Sequence, residues 1–406
     1  MKILIHSMNY LPELTGSGKF AGEMGSWFAA RGHNVRVVTA PPYYPEWRIR
    51  PGYRKLWYAT EEIDGVRVTR CPLWVPRRQS GLRRILHFVS FAATALPLLL
   101  WHGLTWRPDL VCVIKPPAFA LPGGLLAAAL GGARSWTHIQ DFDLEAGFEL
   151  GLVKGARFRR FVLGVENWLL RRFARATTIS DRMLEKLRAK GVTPERSALF
   201  PNWVDTQLIQ PLARPAEFRA ALDIPPGTVV ALYSGNMGEK QGLDTLAAAA
   251  RILESERDIV FVLCGEGAGR SRLEEAAKGA PNVRFHPLQP LDKLNDLLNS
   301  ADMHLLPQRA AAADLVMPSK LGGMLASGRP VIAGAHPHTG IARAVEGAGV
   351  IVPPDDAAAM AAAVRALARA PERRAALGRR ARERALEDWD RDSILNRILR
   401  WLENSP

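Results

Sequence analysis

The chain has 406 residues, 48% of them hydrophobic, enough to bury the cores of two ordinary domains. Its three cysteines, Cys71, Cys112 and Cys264, lie far apart with no C-x-x-C spacing, which argues against a disulfide framework or a zinc site and for a reducing compartment. The net charge of +14 is unevenly spread: residues 1–205 hold 29 lysines and arginines against 16 acids, and residues 206–406 hold 25 against 24. The excess is arginine-rich, in "PRRQSGLRR" (76–84), "RFRR" (157–160) and "RRFAR" (171–175). Solvated helix faces, an anionic membrane surface or a polyanionic substrate would each account for such clusters. Nucleic acid is not expected, because no nucleic-acid-binding module accompanies the charge.

In chain order, "MKILIHSMNY" begins a strand and has no apolar segment ending in a cleavage site, so no signal peptide is expected. Strands are predicted over 2–7, 34–40, 65–71, 109–114, 134–139 and 176–180, then over 228–235, 258–265, 282–287, 302–307 and 330–334. Longer helical stretches separate them. This alternation predicts an α/β protein of two doubly wound domains. The first covers 1–205 and the second 206–385, with "FPNWVDTQLIQP" (200–211) as the hinge and a helix over 386–406 crossing back. Residues 85–106, "ILHFVSFAATALPLLLWHGLTW", contain no Asp, Glu, Lys or Arg and are flanked by Arg83, Arg84 and Arg107. Length alone admits a spanning helix, while Pro97, His87 and His102 interrupt the run. An interfacial helix and a buried crossover between strands are the other readings.

The first βα turn, "YLPELTGSGKFAGEMGSWFAARGHNV", places Gly16 and Gly18 where backbone can approach a ligand ahead of a helix. It is not a dinucleotide fingerprint, since no acidic residue closes the next strand. "SMNYLPELTGSGKFAGEMGSWFAARGHNVRVVTAPPYYPEW" is similar to the opening of retaining glycosyltransferases of the GT-B fold. It especially resembles the WcaI-like, colanic-acid-type family of exopolysaccharide glycosyltransferases. "HIQDFDLEAGFELGL" (138–152), "PNWVD" (201–205), "SGNMGEKQGLDTL" (234–246), "GEG" (265–267) and "LPQRAAAADLVMPSKLGGMLASGRPVIA" (306–333) continue the resemblance in order over nearly the whole chain.

The resemblance implies two Rossmann-like domains facing a cleft, with a nucleotide-sugar held mostly by the C-terminal one and neither cofactor nor metal. The superfamily's phosphate-binding Arg and Lys correspond to Asn236 and Gln241, both neutral here, with Lys240 one residue away. Of a superfamily glutamate pair, the second position is Gly323 and the first lies near Val316, so both carboxylates are missing. Lys320, preceded by Met317, Pro318 and Ser319, is the candidate for the diphosphate. Glu266 and Arg309 complete the donor-side set, with Gly16 and Gly18. A catalytic His precedes an Asp in the superfamily; Gln140 occupies that place, His138 lies two residues earlier, and Asp141 is the candidate acceptor of a hydrogen bond. Glu13 joins the catalytic candidates, and Lys115, Pro116 and Pro117 the acceptor side. "DFD" (141–143) also imitates a D-x-D metal motif.

The implied activity is retaining, metal-independent transfer of a sugar, with GDP-fucose suggested, to a lipid-linked (polyprenyl-pyrophosphate) oligosaccharide. The protein would act from the cytoplasmic side as a peripheral membrane enzyme. A nucleotide-sugar 2-epimerase and a non-catalytic donor-binding scaffold are the competing readings.

Overall fold

The computed structural model describes residues 1–13, 16–77, 80–149, 155–212, 217–238, 241–310 and 317–404. The chain divides into two units, Met1–Pro201 with Leu402–Pro406, and Asn202–Trp401. The division precedes Val204 and Asp205, which are tied into the second unit. Val204 N–H donates to the Trp389 carbonyl at 2.9 Å, Arg391 N–H donates to the Val204 carbonyl at 3.0 Å, and Arg391 Nη1 meets Asp205 Oδ2 at 2.6 Å. Most of the stretch beyond 386 likewise belongs to the second unit.

The first unit holds an eight-stranded sheet: β1 (Lys2–Ser7), β2 (Asn34–Thr39), β3 (Ala59–Ile63), β4 (Val66–Arg70), β5 (Leu110–Lys115), β6 (Arg134–Ile139), β7 (Arg175–Thr178) and β8 (Ser197–Leu199). Their order is β3-β4-β2-β1-β5-β6-β7-β8, parallel except for the β3–β4 hairpin. Central strands such as β5 are buried along their whole length, which is why they read as continuous apolar runs.

Helix α1 (Gly16–Ala30) carries the chain from β1 to β2. The crossovers α2 (Gly81–Trp101), α3 (Leu121–Gly131), α4 (Asp143–Glu149) with α5 (Ala156–Leu170), and α6 (Asp181–Ala189) all step the other way along the sheet. Right-handed connections therefore put α1 on one face and α2, α3, α5 and α6 on the opposite one.

Helix α2 connects β4 to β5, and a π-turn over His102–Trp106 continues it. Ser80 caps it, and its buried residues are His87, Phe91, Ala95 and Leu99, one stripe at four-residue steps. Leu82, Leu86, Val89 and Trp101 on its other sides are exposed. The segment is a crossover packed on its own sheet along a single stripe. It is also the one helix among the described residues long and apolar enough to cross a membrane.

The second unit holds a six-stranded parallel sheet: β9 (Val229–Ser234), β10 (Ile259–Cys264), β11 (Val283–His286), β12 (Met303–Leu306), β13 (Val331–Gly334) and β14 (Gly349–Val352). The order β11-β10-β9-β12-β13-β14 is that of a doubly wound domain, with strand order reversing beside β9. All three cysteines are buried.

Candidate active site

In doubly wound sheets ligands bind beyond the carboxyl ends of the strands, and the candidates of each unit gather there. In the first unit Glu13 follows β1 and is 1% exposed. Its Oε1 accepts N–H bonds from Tyr43 (2.7 Å) and Tyr44 (2.8 Å), and Oε2 accepts from Asn9 Nδ2 (2.8 Å). Burial raises its pKa against these bonds. A carboxylate spent on two backbone amides braces the loop after β1 against the loop after β2. Gly18 packs closely on this brace: a Cβ there would lie 3.1 Å from Glu13 Cβ. Gly16 opens α1 and is exposed.

His138, on β6, is buried between neighbours. Its Nδ1 lies 3.0 Å from Thr177 Oγ1, its Nε2 lies 2.8 Å from Gln140 Nε2, and its ring packs on Phe200 at 4.7 Å. Burial pushes its pKa down to about 3, so it is neutral at any working pH. Positions 138 and 140 share a side as strand alternation requires, and they bond to each other. Gln140 is half-buried. Asp141, next in the chain, reaches solvent. The atoms packed around it raise its pKa by burial, although Lys115 opposes this.

Lys115 ends β5 and is fully buried. Its Nζ donates to the Asp141 carbonyl at 2.9 Å, and meets Asp143 Oδ1 at 2.7 Å and Glu166 Oε1 at 3.0 Å. Lys190 Nζ meets Glu166 Oε2 (3.0 Å) and Glu145 Oε1 (2.5 Å), and Lys186 pairs with Glu145. The three ammonium groups surround the Phe142 ring, each between 5.1 and 5.2 Å from its centroid. Burial alone would lower the pKa of Lys115, but Asp143 and Glu166 outweigh it and raise the value. Lys115 is therefore an internal clamp that holds the Asp141 backbone in place, and not a group free to meet an acceptor. Asp143 is likewise occupied, its Oδ2 accepting Ala118 N–H at 3.1 Å, which is no arrangement for a D-x-D metal site. Pro117 is buried and Pro116 half-buried in the same loop.

In the second unit the loops after β9 and β10 interlock. Gly235 N–H donates to the Cys264 carbonyl (3.0 Å), Met237 N–H to the Glu266 carbonyl (2.8 Å), and Gly269 N–H to the Met237 carbonyl (2.8 Å). A Cβ at Gly265 would overlap the Gly235 carbonyl oxygen, so glycine is required there. Against these loops lies Lys320, at the start of the helix Lys320–Ala326. Its Nζ sits 3.8 Å from the Tyr233 ring centroid, and its Cδ lies 3.4 Å from where a Gly235 Cβ would be. The ammonium has no contact with solvent and no hydrogen-bond partner among the described residues. Burial pushes its pKa down to about 7. A buried cation costs free energy unless an anion completes it, and glycine-lined backbone is where a phosphate can approach.

The other donor-side candidates are engaged or open. Arg309 is held by Asp244 (2.6 Å) and Asp355 (3.4 Å), so its charge braces loops. Glu266 is exposed and paired with Arg270 at 2.7 Å. Asn236 and Ser319 are exposed, and Gln241, Met317 and Pro318 half-buried. Lys240 and Val316 lie outside the described residues. Gly323 is half-buried, and a Cβ there would meet only Leu298 Cδ1 at 3.5 Å. Tyr233, the seat of Lys320, went unmarked in the sequence because a lone aromatic in an apolar strand reads as core.

Aligned over 410 residues, the chain is 40% identical to the putative colanic acid biosynthesis glycosyl transferase WcaI of Escherichia coli, covering 98% of this chain and 99% of that protein. The chain is a GT-B glycosyltransferase of this family. Models of a glycosyl transferase 4-like domain and of glycosyl transferases group 1 match residues 15–203 and 228–370 of the glycosyltransferase. Its fold is shared by sucrose-phosphate synthase of Thermosynechococcus elongatus, with 18% identity, a TM-score of 0.75, and 99% and 98% of the two chains covered. It is shared too by Anabaena HepE in complex with UDP and glucose, with 16% identity, a TM-score of 0.70 and both chains fully covered.

Proposed function

We propose that this glycosyltransferase moves a sugar from a nucleotide-sugar donor, GDP-fucose being the first to try, to a lipid-linked oligosaccharide during exopolysaccharide assembly of the colanic-acid type. Similarity to WcaI supports the pathway. The observation that carries the donor reading is the buried ammonium of Lys320, without a hydrogen-bond partner among the described residues, beside the Gly235 and Gly265 loops. In this reading Lys320 takes the donor's diphosphate and stabilises the charge that grows as the glycosidic bond breaks, a task that needs no metal. Asp141, its backbone held by Lys115, accepts a hydrogen bond from the acceptor hydroxyl, which attacks on the face the diphosphate leaves, with retention. The acceptor is presented at the cytoplasmic membrane surface, where the apolar outer side of α2, with Arg77, Arg83 and Arg84 beside it, holds the enzyme peripherally.

The test combines a thermal-shift panel of GDP, UDP and ADP and their sugars with transfer assays, using wild type, Lys320→Ala and Asp141→Asn. One nucleotide should stabilise the protein as its concentration exceeds Kd. Lys320→Ala should lose roughly ten- to a hundred-fold in turnover, about 1.5–3 kcal/mol for a charge-assisted bond. Asp141→Asn should lower kcat more than donor affinity. Wild-type turnover in Lys320→Ala removes the donor reading, and activity abolished by EDTA and restored by Mn²⁺ removes metal independence. Donor turnover without acceptor would indicate an epimerase instead, and binding without turnover a scaffold.

A further inference from the structure

The helices on one face of the first sheet show two kinds of outer surface. Helix α6 is ordinary: Leu184 and Leu187 face inward, and Arg182, Glu185 and Arg188 face water. Helix α5 is unlike it. Its buried residues are Glu166 and Leu170, while Phe158, Phe161, Val165 and Trp168 are exposed, Phe161 by 68%. These four recur at three- and four-residue steps and so form one stripe along the helix.

Among the described residues, the exposed charge around the stripe has one sign. Arg157, Arg159 and Arg160 near the start of α5 and Arg171 and Arg172 just after its end are all exposed. The helix's single acid, Glu166, is buried on Lys115 and Lys190. The Arg172 guanidinium lies 3.8 Å from the Trp168 ring centroid. A stripe of aromatic and branched side chains rimmed, among the described residues, by arginine matches an anionic lipid surface, where rings settle at the headgroup level and guanidinium groups meet phosphates.

Helix α5 is also continuous with the apolar outer side of α2. It packs beside α3, whose Leu126 and Leu130 are exposed, and α3 packs beside α2. The exposed apolar side chains thus cross three neighbouring helices on one face of one unit, well beyond the scattered residues normal on a soluble surface.

We propose that α5 is a second lipid-inserting helix, so that the first unit docks on an anionic bilayer through the plane of α2, α3 and α5 and not through α2 alone. The inference rests on the membrane reading above, which needs only α2. The test can separate the two. Because the native thiols are buried, an introduced cysteine can be labelled alone. Full-length Leu86→Cys (α2), Phe161→Cys (α5) and Ala30→Cys (exposed on α1, the opposite face) are each labelled with an environment-sensitive NBD dye. They are then mixed with phosphatidylcholine vesicles with or without phosphatidylglycerol. With the anionic vesicles, emission at positions 86 and 161 should rise roughly twofold or more and be quenched by a lipid-borne nitroxide, with no change at position 30. A response at 86 without one at 161 overturns the role of α5 and leaves the α2 reading standing. No response at either overturns both. A rise at 161 without lipid that grows with protein concentration makes this face a contact between copies and overturns the lipid assignment. As a second readout, Phe161→Glu with Trp168→Glu should weaken vesicle binding at least several-fold with an unchanged Tm; unchanged binding overturns the proposal.

Discussion

Lys320 binds its proton less tightly in the fold, at about 7, than in an unfolded chain, where its ordinary value is 10.5. Between these values the unfolded chain holds more proton, so stability rises with pH across this window and the cost of the buried charge is fully present below it. A bound diphosphate reverses the balance by favouring the charged form. Nucleoside diphosphate affinity should therefore fall as pH rises from about 7 to 9, approaching tenfold per unit, and the Lys320→Met variant should show no such slope. Calorimetric titration at several pH values checks this; a flat wild-type profile sinks it. The same variant should raise the Tm of the unliganded protein near neutral pH, since an unpartnered buried group costs about 1–3 kcal/mol. Lys115 behaves oppositely. Lys115→Met leaves Asp143 without its cation and Glu166 with Lys190 alone, so we expect a loss of roughly 3–5 kcal/mol in denaturant titrations. Wild-type stability would refute the clamp. These two lysines also mark how far a site can be read from sequence. Lys320 was a candidate because the local "MPSK" run marks it; its seat on Tyr233 beside Gly235 was not legible, because those residues come from the end of a strand far away in the chain. The roles of Lys115, Glu13, His138 and Arg309 were not legible either, because Glu166, Tyr43, Thr177 and Asp355, which occupy them, come from distant elements.

Among the elements, the loops after β9 and β10 depend on missing side chains. Gly265→Ala would push the Gly235 carbonyl away and displace the backbone beside Lys320, so nucleotide-induced stabilisation should largely disappear in that variant. Gly323→Ala has room, in a helix, and should be neutral or stabilise by about 0.5–1 kcal/mol. Comparing their melting curves with and without the nucleotide tests both; equal nucleotide responses would show that the loop geometry is not needed. The buried parallel strands were readable within a residue or so at each end, since an apolar run needs no other explanation in a sheet covered on both faces. Three strands escaped. β3, "ATEEI", is an antiparallel edge strand in which Glu62 is exposed and Glu61 is half-buried against Arg70. β8 is three residues long, and β14 is a half-buried edge of the second sheet. Edge strands lack the double burial that makes a run conspicuous. The stripe on α5 was hidden for a different reason: helical spacing of apolar residues normally signals a core face, and only the packing of Glu166 and Leu170 shows that it points outward.

For the whole molecule, the charge asymmetry is the property that a solution experiment reads most directly. Basic residues near an anionic surface contribute about 1 kcal/mol each, fading beyond a Debye length of about 8 Å at physiological salt. Inserted apolar side chains add a term that salt does not weaken. Binding to anionic vesicles should accordingly fall with salt without vanishing, and Arg77→Gln, Arg83→Gln and Arg84→Gln together should remove much of the salt-sensitive part while transfer to a soluble acceptor persists. Equal sedimentation with neutral and anionic vesicles at every salt concentration would contradict this. The two-domain plan was legible from the repeated strand rhythm. The placement of Val204 and Asp205 in the second unit was not, because it depends on their pairing with Trp389 and Arg391. The buried thiols have a consequence of another kind. Cys71 and Cys112 lie in the first unit and Cys264 in the second, all out of reach of a bulky thiol reagent in the native state. Each then reacts only when its own surroundings open, so the modification rates are clocks for the opening of the two units. If the clocks in the two units keep the same time under mild denaturant and slow together when nucleotide is added, the protein opens as one cooperative body. If nucleotide slows only Cys264, the second unit gains rigidity from its ligand while the first goes on opening at its own rate.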